Sequence, residues 1–229
     1  MMKNIINIGI PSKGRLRADI LKIFKKNKLN LVSERGERDL LGSIKNLSNV
    51  KMLYLHAREI VERLGDGSLD IGFSGYDLLK ESEINVQKKI NVVKKYSFGK
   101  ATLVVAIPDP WIDVQTIADL EEIAFEFKDK KKKRLRVGTK YPNLTREFLF
   151  SKGVTQFKLV NSLGSTEVMP FTGSAEIIVD ITSTGETIKA NNLRVLKDGE
   201  ILKSEACMMV SKSASKNNAF KKIVKLLSK

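Results

Sequence analysis

Between Ile177 and Leu193 the chain reads "IIVDITSTGETIKANNL". Three β-formers lead into one carboxylate, Asp180. A run of hydroxyls around a single glycine follows: Thr182, Ser183, Thr184, Gly185 and Thr187. Each hydroxyl can donate a hydrogen bond. Gly185 lets the backbone bend so that successive N–H groups point inward. A helix starting near Thr187 would add the positive end of its dipole. A phosphate monoester suits such a cradle, and a carboxylate one strand end away suits sugar hydroxyls. In an open α/β sheet, ligands bind beyond the carboxyl ends of the strands, and Asp180 sits at such an end. The competing reading is a capped strand–helix turn without ligand, since Ser and Thr cap helices routinely. The hydroxyls, the glycine and the acid together favour phosphate.

Other candidates sit at similar places. Lys13 and Arg15 flank Gly14 just past the first apolar run. Cations are unfavourable at a helix start, so their presence there favours a role with phosphates, which Arg can bind in bidentate fashion. Arg58 follows "MLYLH". Ser74, Gly75 and Asp77 follow "LDIGF", whereas Asp70 reads as the start of that strand. Tyr141, Asn143 and Thr145 belong to "KYPNLT". An adenine could stack on Tyr141; a Pro–Asn turn with a half-buried tyrosine is the alternative. With one His and one Cys, the chain has no Ser/His/Asp or Cys/His set for covalent catalysis. His56, alone at a strand end, reads as a structural residue. No metal cage is visible.

The elements that must position these residues alternate along the chain. "IINIGI", "KMLYLH", "LDIGFSG", "ATLVVAIP", "RLRVGT", "FKLVN", "EIIVD" and "EACMMVS" read as strands. Between them, apolar residues recur at helical spacing: Leu16, Ile20, Ile23 and Phe24, then Ile60, Val61 and Leu64, then "YDLLKE" and "NLTREFLFSKG". Phe220, Ile223, Val224 and Leu227 mark a last helix. The alternation predicts an α/β protein with mostly parallel sheets covered by helices.

At 229 residues the chain can form one large domain or two small ones. No stretch approaches the roughly 18 consecutive apolar residues of a membrane helix, and the first residues read as a strand rather than a signal peptide. One cysteine, Cys207, makes no internal disulfide, which suits a reducing cytoplasm. The net charge of +15 raises nucleic-acid binding, but aromatics are only 7 %. Much of the charge is lysine scattered over helix faces. The dense run Lys128–Arg136, "KDKKKKRLR", reads as a solvated loop.

The stretch from Gly164 to Leu193, "GSTEVMPFTGSAEIIVDITSTGETIKANNL", resembles the phosphoribosyl-diphosphate (PRPP) signature of the ATP phosphoribosyltransferases, whose reaction opens histidine biosynthesis. "PSKGRL", "AREI", "GDGSLDIGFSGYDLL", "FGKATLVVA" and "TKYPNLTR" resemble other blocks of that family, in the same order. The ending near Lys229 resembles the family's short form. The resemblance implies a two-lobed fold of mixed, mostly parallel sheets like a type II periplasmic binding protein, with the active site in the cleft. Lobe I would comprise 1–98 and 193–229, and lobe II 99–192.

It further implies Mg-dependent transfer of phosphoribosyl from PRPP to N1 of ATP, the magnesium being held mainly by substrate phosphates. Ser183, Thr184, Gly185, Glu186 and Thr187, with Thr182, would hold the 5′-phosphate. Asp180, and Glu167 unless it is only a helix-start charge, would bind the ribose. Lys13, Arg15 and Arg58 would act near the reacting groups. Either Arg35 or Arg38 would match a further family arginine. Ser74, Gly75, Asp77, Tyr141, Asn143 and Thr145 would line the ATP side. His56 stands where many relatives have arginine. The implied assembly is a homodimer joined by a regulatory subunit similar to histidyl-tRNA synthetase. Alternatives are another PRPP-dependent transferase, a non-catalytic two-lobed binding protein, or a basic RNA-binding protein. In nucleobase transferases two acids adjoin at the strand end, whereas here Val179 precedes Asp180.

Overall fold

The computed structural model describes residues 5–32, 40–45 and 47–228. The chain divides into two units, one taking the described residues up to Gly99 and again from Glu205, the other Lys100–Ser204.

The first unit is built on β1 (Ile6–Pro11), β2 (Leu31–Val32), β3 (Leu41–Ile44), β4 (Leu47–Leu55), β5 (Ile71–Gly75), β6 (Ile90–Lys95) and, after the chain's return, β12 (Ala206–Ser211). Their order is β2-β3-β4-β1-β5-β12-β6. The three central strands β4, β1 and β5 run parallel; every outer pairing is antiparallel. Helices cover both faces. α1 (Gly14–Lys26) and α8 (Asn218–Leu227) bury Ile20, Phe24, Phe220, Ile223 and Leu227 against Ile8, Ile10 and Met52. α2 (Ala57–Asp66) buries Ile60, Val61 and Leu64 on the other side, near α3 (Tyr76–Glu81) and α4 (Ile84–Gln87). β12 shows the two-residue period of a strand buried on both faces: Ala206, Met208 and Val210 join one core, Cys207 and Met209 the other. α2 lies close to the sheet because β5 has glycine beneath it. A Cβ on Gly72 would lie 2.5 Å from Ile60.

The second unit holds β7 (Ala101–Pro108), β8 (Leu135–Thr139), β9 (Phe157–Asn161), β10 (Ile177–Thr182) and β11 (Leu193–Ser204), in the order β11-β7-β10-β8-β9. β10, β8 and β9 are parallel, while β7 and β11 are antiparallel to their neighbours. Its helices are α5 (Ile117–Lys131), α6 (Pro142–Ser151) and α7 (Glu186–Ala190).

Three expectations need correction. The sheets are mixed, as the resemblance implied, but antiparallel pairings outnumber parallel ones among the described residues: β2 and β3 form a meander onto β4, and β6, β7, β11 and β12, the strands beside the two crossings, run antiparallel to their neighbours. The second unit extends to Ser204 rather than ending near Leu193, because β11 continues to pair with β7 through Ser204↔Ala101. The run Lys128–Arg136 is mostly ordered: α5 continues through Lys131 and β8 begins at Leu135. Lysine is a good helix former, its charge suits a helix C-terminus, and Lys130 pairs with Glu126 one turn back, 3.0 Å away. Among the described residues no helix is long and apolar enough to cross a membrane.

Candidate active site

In the second unit the parallel trio places three carboxyl ends side by side. Val179 is registered on Thr139, and Thr139 on Asn161. Just past this register lies Asp180, still within β10 and paired with Val104 of β7, rather than at the strand's last residue as expected. Beyond the strand ends lie the loop from Ser183, Lys140–Thr145, and the segment from Ser162 to Glu167.

Asp180 is half-buried, and burial pushes its carboxyl above the usual range. The Ile181 N–H, donated to Oδ1 at 2.8 Å, opposes the rise, as do Lys140 and the Thr166 hydroxyl; Glu167 adds to it. Two carboxylates and an ammonium therefore share this corner. Met169 anchors the Glu167 segment by packing over Gly138, where a Cβ would lie 2.6 Å from its sulfur. Thr166 is fully buried and donates to Ser162 Oγ at 2.9 Å.

The loop after β10 is a tight turn. Gly185 has φ 78°, a left-handed conformation that costs glycine nothing. Its N–H donates to Thr182 Oγ1 at 2.9 Å, and the Glu186 N–H reaches Thr184 Oγ1 at 3.4 Å. These hydroxyls act as acceptors inside the loop and keep their own protons to donate outward. Ser183, Thr184, Glu186 and Thr187 are exposed. The N–H groups of Ser183 and Thr184 make no hydrogen bond among the described residues. The helix that follows starts at Glu186, one residue before the expected Thr187, and is only five residues long. Its dipole is therefore small, and the cradle consists mainly of loop N–H and hydroxyl groups.

Residues on the neighbouring strand end divide into two kinds. Thr145 is fully buried; its hydroxyl donates to the Tyr141 carbonyl at 2.6 Å and lies 3.3 Å from Thr139 Oγ1. The Thr139 Oγ1 in turn accepts the Tyr141 N–H at 2.9 Å. Tyr141 is 6 % exposed, too little to offer a base its face. Both residues therefore fasten β8 to α6, and Asn143 is the exposed member of the set. Thr145→Val should cost about 0.5–1.5 kcal/mol of stability, the net worth of one hydroxyl hydrogen bond, because the Thr145 N–H still donates to the Tyr141 carbonyl at 3.0 Å. Urea unfolding would measure it, and turnover at saturating substrate should not change.

The first unit repeats the arrangement. Pro11 is registered on Leu55, and the Ser12 N–H donates to the Leu55 carbonyl at 2.8 Å. The ends of β1 and β4 are thus adjacent, with β5 beyond β1. Lys13 and Arg15 are exposed past β1, where Gly14 (φ 85°) opens α1 without any side-chain cap. Past β4, His56 is the N-cap of α2, its Nδ1 accepting the Arg58 N–H at 3.4 Å. Arg58 is half-buried in the first turn. Next to last in β5, toward its carboxyl end, Ser74 is fully buried and donates to the Ala57 carbonyl at 2.8 Å, so its hydroxyl is structural. Asp77 is buried against Gly75, where a Cβ would lie 2.2 Å from its carboxylate. Asp70 lies at the opposite edge, accepting the Asn7 N–H at 2.8 Å. Arg35 and Arg38 fall outside the described residues. Cys207 is buried and its thiol is pushed up to about 12 by desolvation, which leaves it without thiolate chemistry.

The sequence reading missed Lys140, Thr166 and Arg17. The first two border Asp180, and Lys140 is the first residue past the strand beside β10, a position the carboxyl-end rule singles out. Arg17 stacks over Tyr54, 5.1 Å from the ring centroid, and its buried Nε has no partner among the described residues.

Known proteins decide whose carboxyl edges these are. The family model for ATP phosphoribosyltransferase matches residues 56–229. The chain is 42 % identical to the ATP phosphoribosyltransferase of Nitrobacter winogradskyi over 226 residues, spanning 99 % of this chain and 70 % of that one. The chain belongs to the ATP phosphoribosyltransferase family. The Mesorhizobium japonicum ATP phosphoribosyltransferase is 41 % identical over 211 residues, with 92 % and 91 % of the two chains covered. Among solved structures, the ATP phosphoribosyl transferase (HisG:HisZ) complex from Thermotoga maritima superposes with a TM-score of 0.74 at 26 % identity, covering 97 % of this chain and 95 % of that one. The GluR0 ligand-binding core with L-glutamate gives 0.56 at 10 % identity, covering 97 % and 90 %. That likeness concerns the fold alone, and amino-acid-binding proteins of transporters share it. Within this family the loop after β10 is the segment that carried the PRPP resemblance.

Among the described residues no group of three or more His, Cys, Asp or Glu could hold a metal ion.

Proposed function

We propose that the chain transfers the phosphoribosyl group of PRPP to N1 of the adenine of ATP, the first step of L-histidine biosynthesis. N1 attacks the anomeric carbon, the bond to pyrophosphate breaks, and the configuration inverts. The observation that carries the proposal is an acid–hydroxyl loop at the carboxyl end of β10 in a chain that matches this family over residues 56–229.

In this reading the 5′-phosphate accepts from Ser183, Thr184 and Thr187 and from the loop N–H groups. Asp180 and Glu167 accept from the ribose hydroxyls, and their charge favours the positive ring of the transition state. Catalysis of this kind needs placement and charge stabilisation more than a covalent nucleophile. Lys13, Arg15 and Arg58 stabilise negative charge on the leaving pyrophosphate or on the ATP phosphates. PRPP and ATP enter as magnesium complexes, with phosphate oxygens as the main ligands. Assembly with a second, regulatory subunit is supported by the Thermotoga maritima neighbour, which is a HisG:HisZ complex; a homodimer within that assembly rests on the family resemblance alone. A pathway fed by ATP and PRPP suits the cytoplasm.

Ultraviolet absorbance of phosphoribosyl-ATP tests the proposal, in a mixture of protein, ATP, PRPP, magnesium and a pyrophosphatase. A rise that requires both substrates supports it. No rise, with or without a regulatory subunit from the same source, would overturn it. Arg58→Ala should lower kcat about 10²-fold, the scale of losing one group that meets developing charge, with a smaller change in KM. An unaltered kcat would show that Arg58 is only a surface charge.

A further inference from the structure

The lysine-rich run that the phosphoribosyl chemistry leaves unused borders a hollow of its own. This hollow, of about 810 Å3, lies in the second unit and is lined by Trp111, Phe127, Lys131, Lys133, Arg134, Arg136, Lys158 and Glu176. Arg136 and Lys158 lie near the starts of β8 and β9, and Glu176 immediately precedes β10. The hollow is therefore at the amino edge of the parallel trio. The candidate active site is at the carboxyl edge, about 13 Å further along β8 at the usual rise per residue.

Its charge is not balanced from within. Glu176 is the one carboxylate in the lining, and Arg136 occupies both of its oxygens through its backbone N–H and its guanidinium, at 2.5–3.2 Å. Lys133, Arg134 and Lys158 are exposed and make no ion pair among the described residues. Cations lining one hollow lie within a Debye length of one another and repel. A bound anion removes that cost.

A second, more apolar hollow of about 300 Å3 adjoins the first and shares Trp111, Phe127 and Lys131 with it. Pro110, Ile112, Val114 and Ile123 contribute to its lining, with Asp113 and Glu126 as its acids; Glu126 is paired with Lys130. The indole and the Phe127 ring stand 6.3 Å apart between the two spaces, and Lys131 lies over Phe127 at 3.8 Å. The Arg194 guanidinium holds the Trp111 turn by donating to the carbonyls of Trp111 and Val114, both at 2.5 Å. An aromatic platform with an apolar slot on one side and unbalanced cations on the other matches a ligand with a flat base at one end and phosphates at the other.

We infer that the amino edge of the second unit carries a nucleotide-binding site, separate from the candidate active site, that takes a nucleoside di- or triphosphate with its base against Trp111 and its phosphates among Lys133, Arg134 and Lys158. A bare polyphosphate would use only half of it, and a long single strand would not need the apolar slot beside Trp111.

Trp111 is the chain's one tryptophan, so its emission reports this site and no other. The experiment titrates the full chain with ADP at low salt, following tryptophan fluorescence. Inorganic tripolyphosphate and an oligoadenylate RNA serve as comparison probes. The expected result is saturable quenching by ADP that weakens with salt, with little quenching by tripolyphosphate. Lys133→Glu with Lys158→Glu should raise the ADP Kd roughly tenfold or more, since two charge-assisted contacts become repulsive. Both positions are exposed, and the variant should keep its kcat for phosphoribosyl transfer. Absent quenching, or equal ADP affinity in the double variant, would overturn the site. RNA affinity far above that of ADP would also overturn it, in favour of an extended polyanion surface.

Discussion

Thr184→Val with Thr187→Val should abolish useful PRPP binding while leaving the fold intact. Both side chains are exposed on the loop after β10, so their removal creates no cavity. The cost to the fold is the weak contact in which Thr184 Oγ1 accepts the Glu186 N–H at 3.4 Å. The cost to binding is larger. A hydroxyl donating to a phosphate dianion makes a charge-assisted bond worth about 1.5–3 kcal/mol. Two such bonds amount to roughly 3–6 kcal/mol, or about 10²- to 10⁴-fold in Kd. Titration calorimetry with Mg–PRPP would show it, alongside a thermal melt to confirm folding. Affinity retained within a few-fold would mean that the loop is only a capped turn. The double change keeps Gly185 and the Thr182 acceptor, so the backbone cradle remains as an internal control.

The principle that made this loop legible also explains where the sequence reading stopped. A strand end can be recognised locally: β-formers, then an acid or a glycine, then a helix start. Asp180, Arg58, Lys13 and the Tyr141 segment were all found that way. Whether a side chain at such an end faces ligand or fastens the turn depends on its partners, which are long-range or set by burial. Ser74, Thr145 and Tyr141 had the right residue types in the right places. Their hydroxyls or rings are nonetheless committed to Ala57, to the Tyr141 and Thr139 junction, and to the core. Lys140 and Thr166 were overlooked for the converse reason, since their relation to Asp180 exists only once β9, β8 and β10 are set side by side.

For the fold, strong periodicity was sufficient and its absence was not. The helix faces with Ile20 and Phe24, with Ile60, Val61 and Leu64, and with Phe220, Ile223 and Leu227 follow from spacing alone. β11 was missed because charged residues and a glycine interrupt it at two register shifts. That omission also misplaced the unit boundary. α5 carried a readable signal, the Thr116–Asp119 capping box, but its lysine-rich end suggested a loop. The parallel direction of the central strands was implied by the alternation of elements. The antiparallel flanks were not: β6, β7, β11 and β12 lie where the chain leaves one unit or returns to it, and β2 and β3 form a local meander onto β4.

The second large effect separates stability from activity at one atom. Asp180 is held partly buried beside Glu167, and burial raises its pKa. A carboxyl whose pKa is raised by folding contributes stability fully only below its unfolded value, and loses that contribution as pH rises through the folded value. At neutral pH the ionised Asp180 is therefore a net cost to the fold, partly offset by Lys140 and by the Ile181 N–H. Asp180→Asn removes the charge, keeps a carbonyl oxygen to accept the Ile181 N–H, and changes little in volume. The variant should melt at a higher temperature than the parent at neutral pH. The gap should close as pH falls through the raised pKa, where the parent becomes neutral too. Its kcat/KM for phosphoribosyl transfer should fall about 10²-fold or more, the scale of losing a group aligned with charge in the transition state. A calorimetric scan at several pH values and one assay at neutral pH would check both halves. A variant less stable than the parent at neutral pH would show that the ion pairing around Asp180 outweighs its burial. A variant with full activity would show that the carboxylate at the end of β10 serves the fold alone. Loss of function together with a gain in stability is what a strand end built for a ligand, at the expense of its own burial, should give.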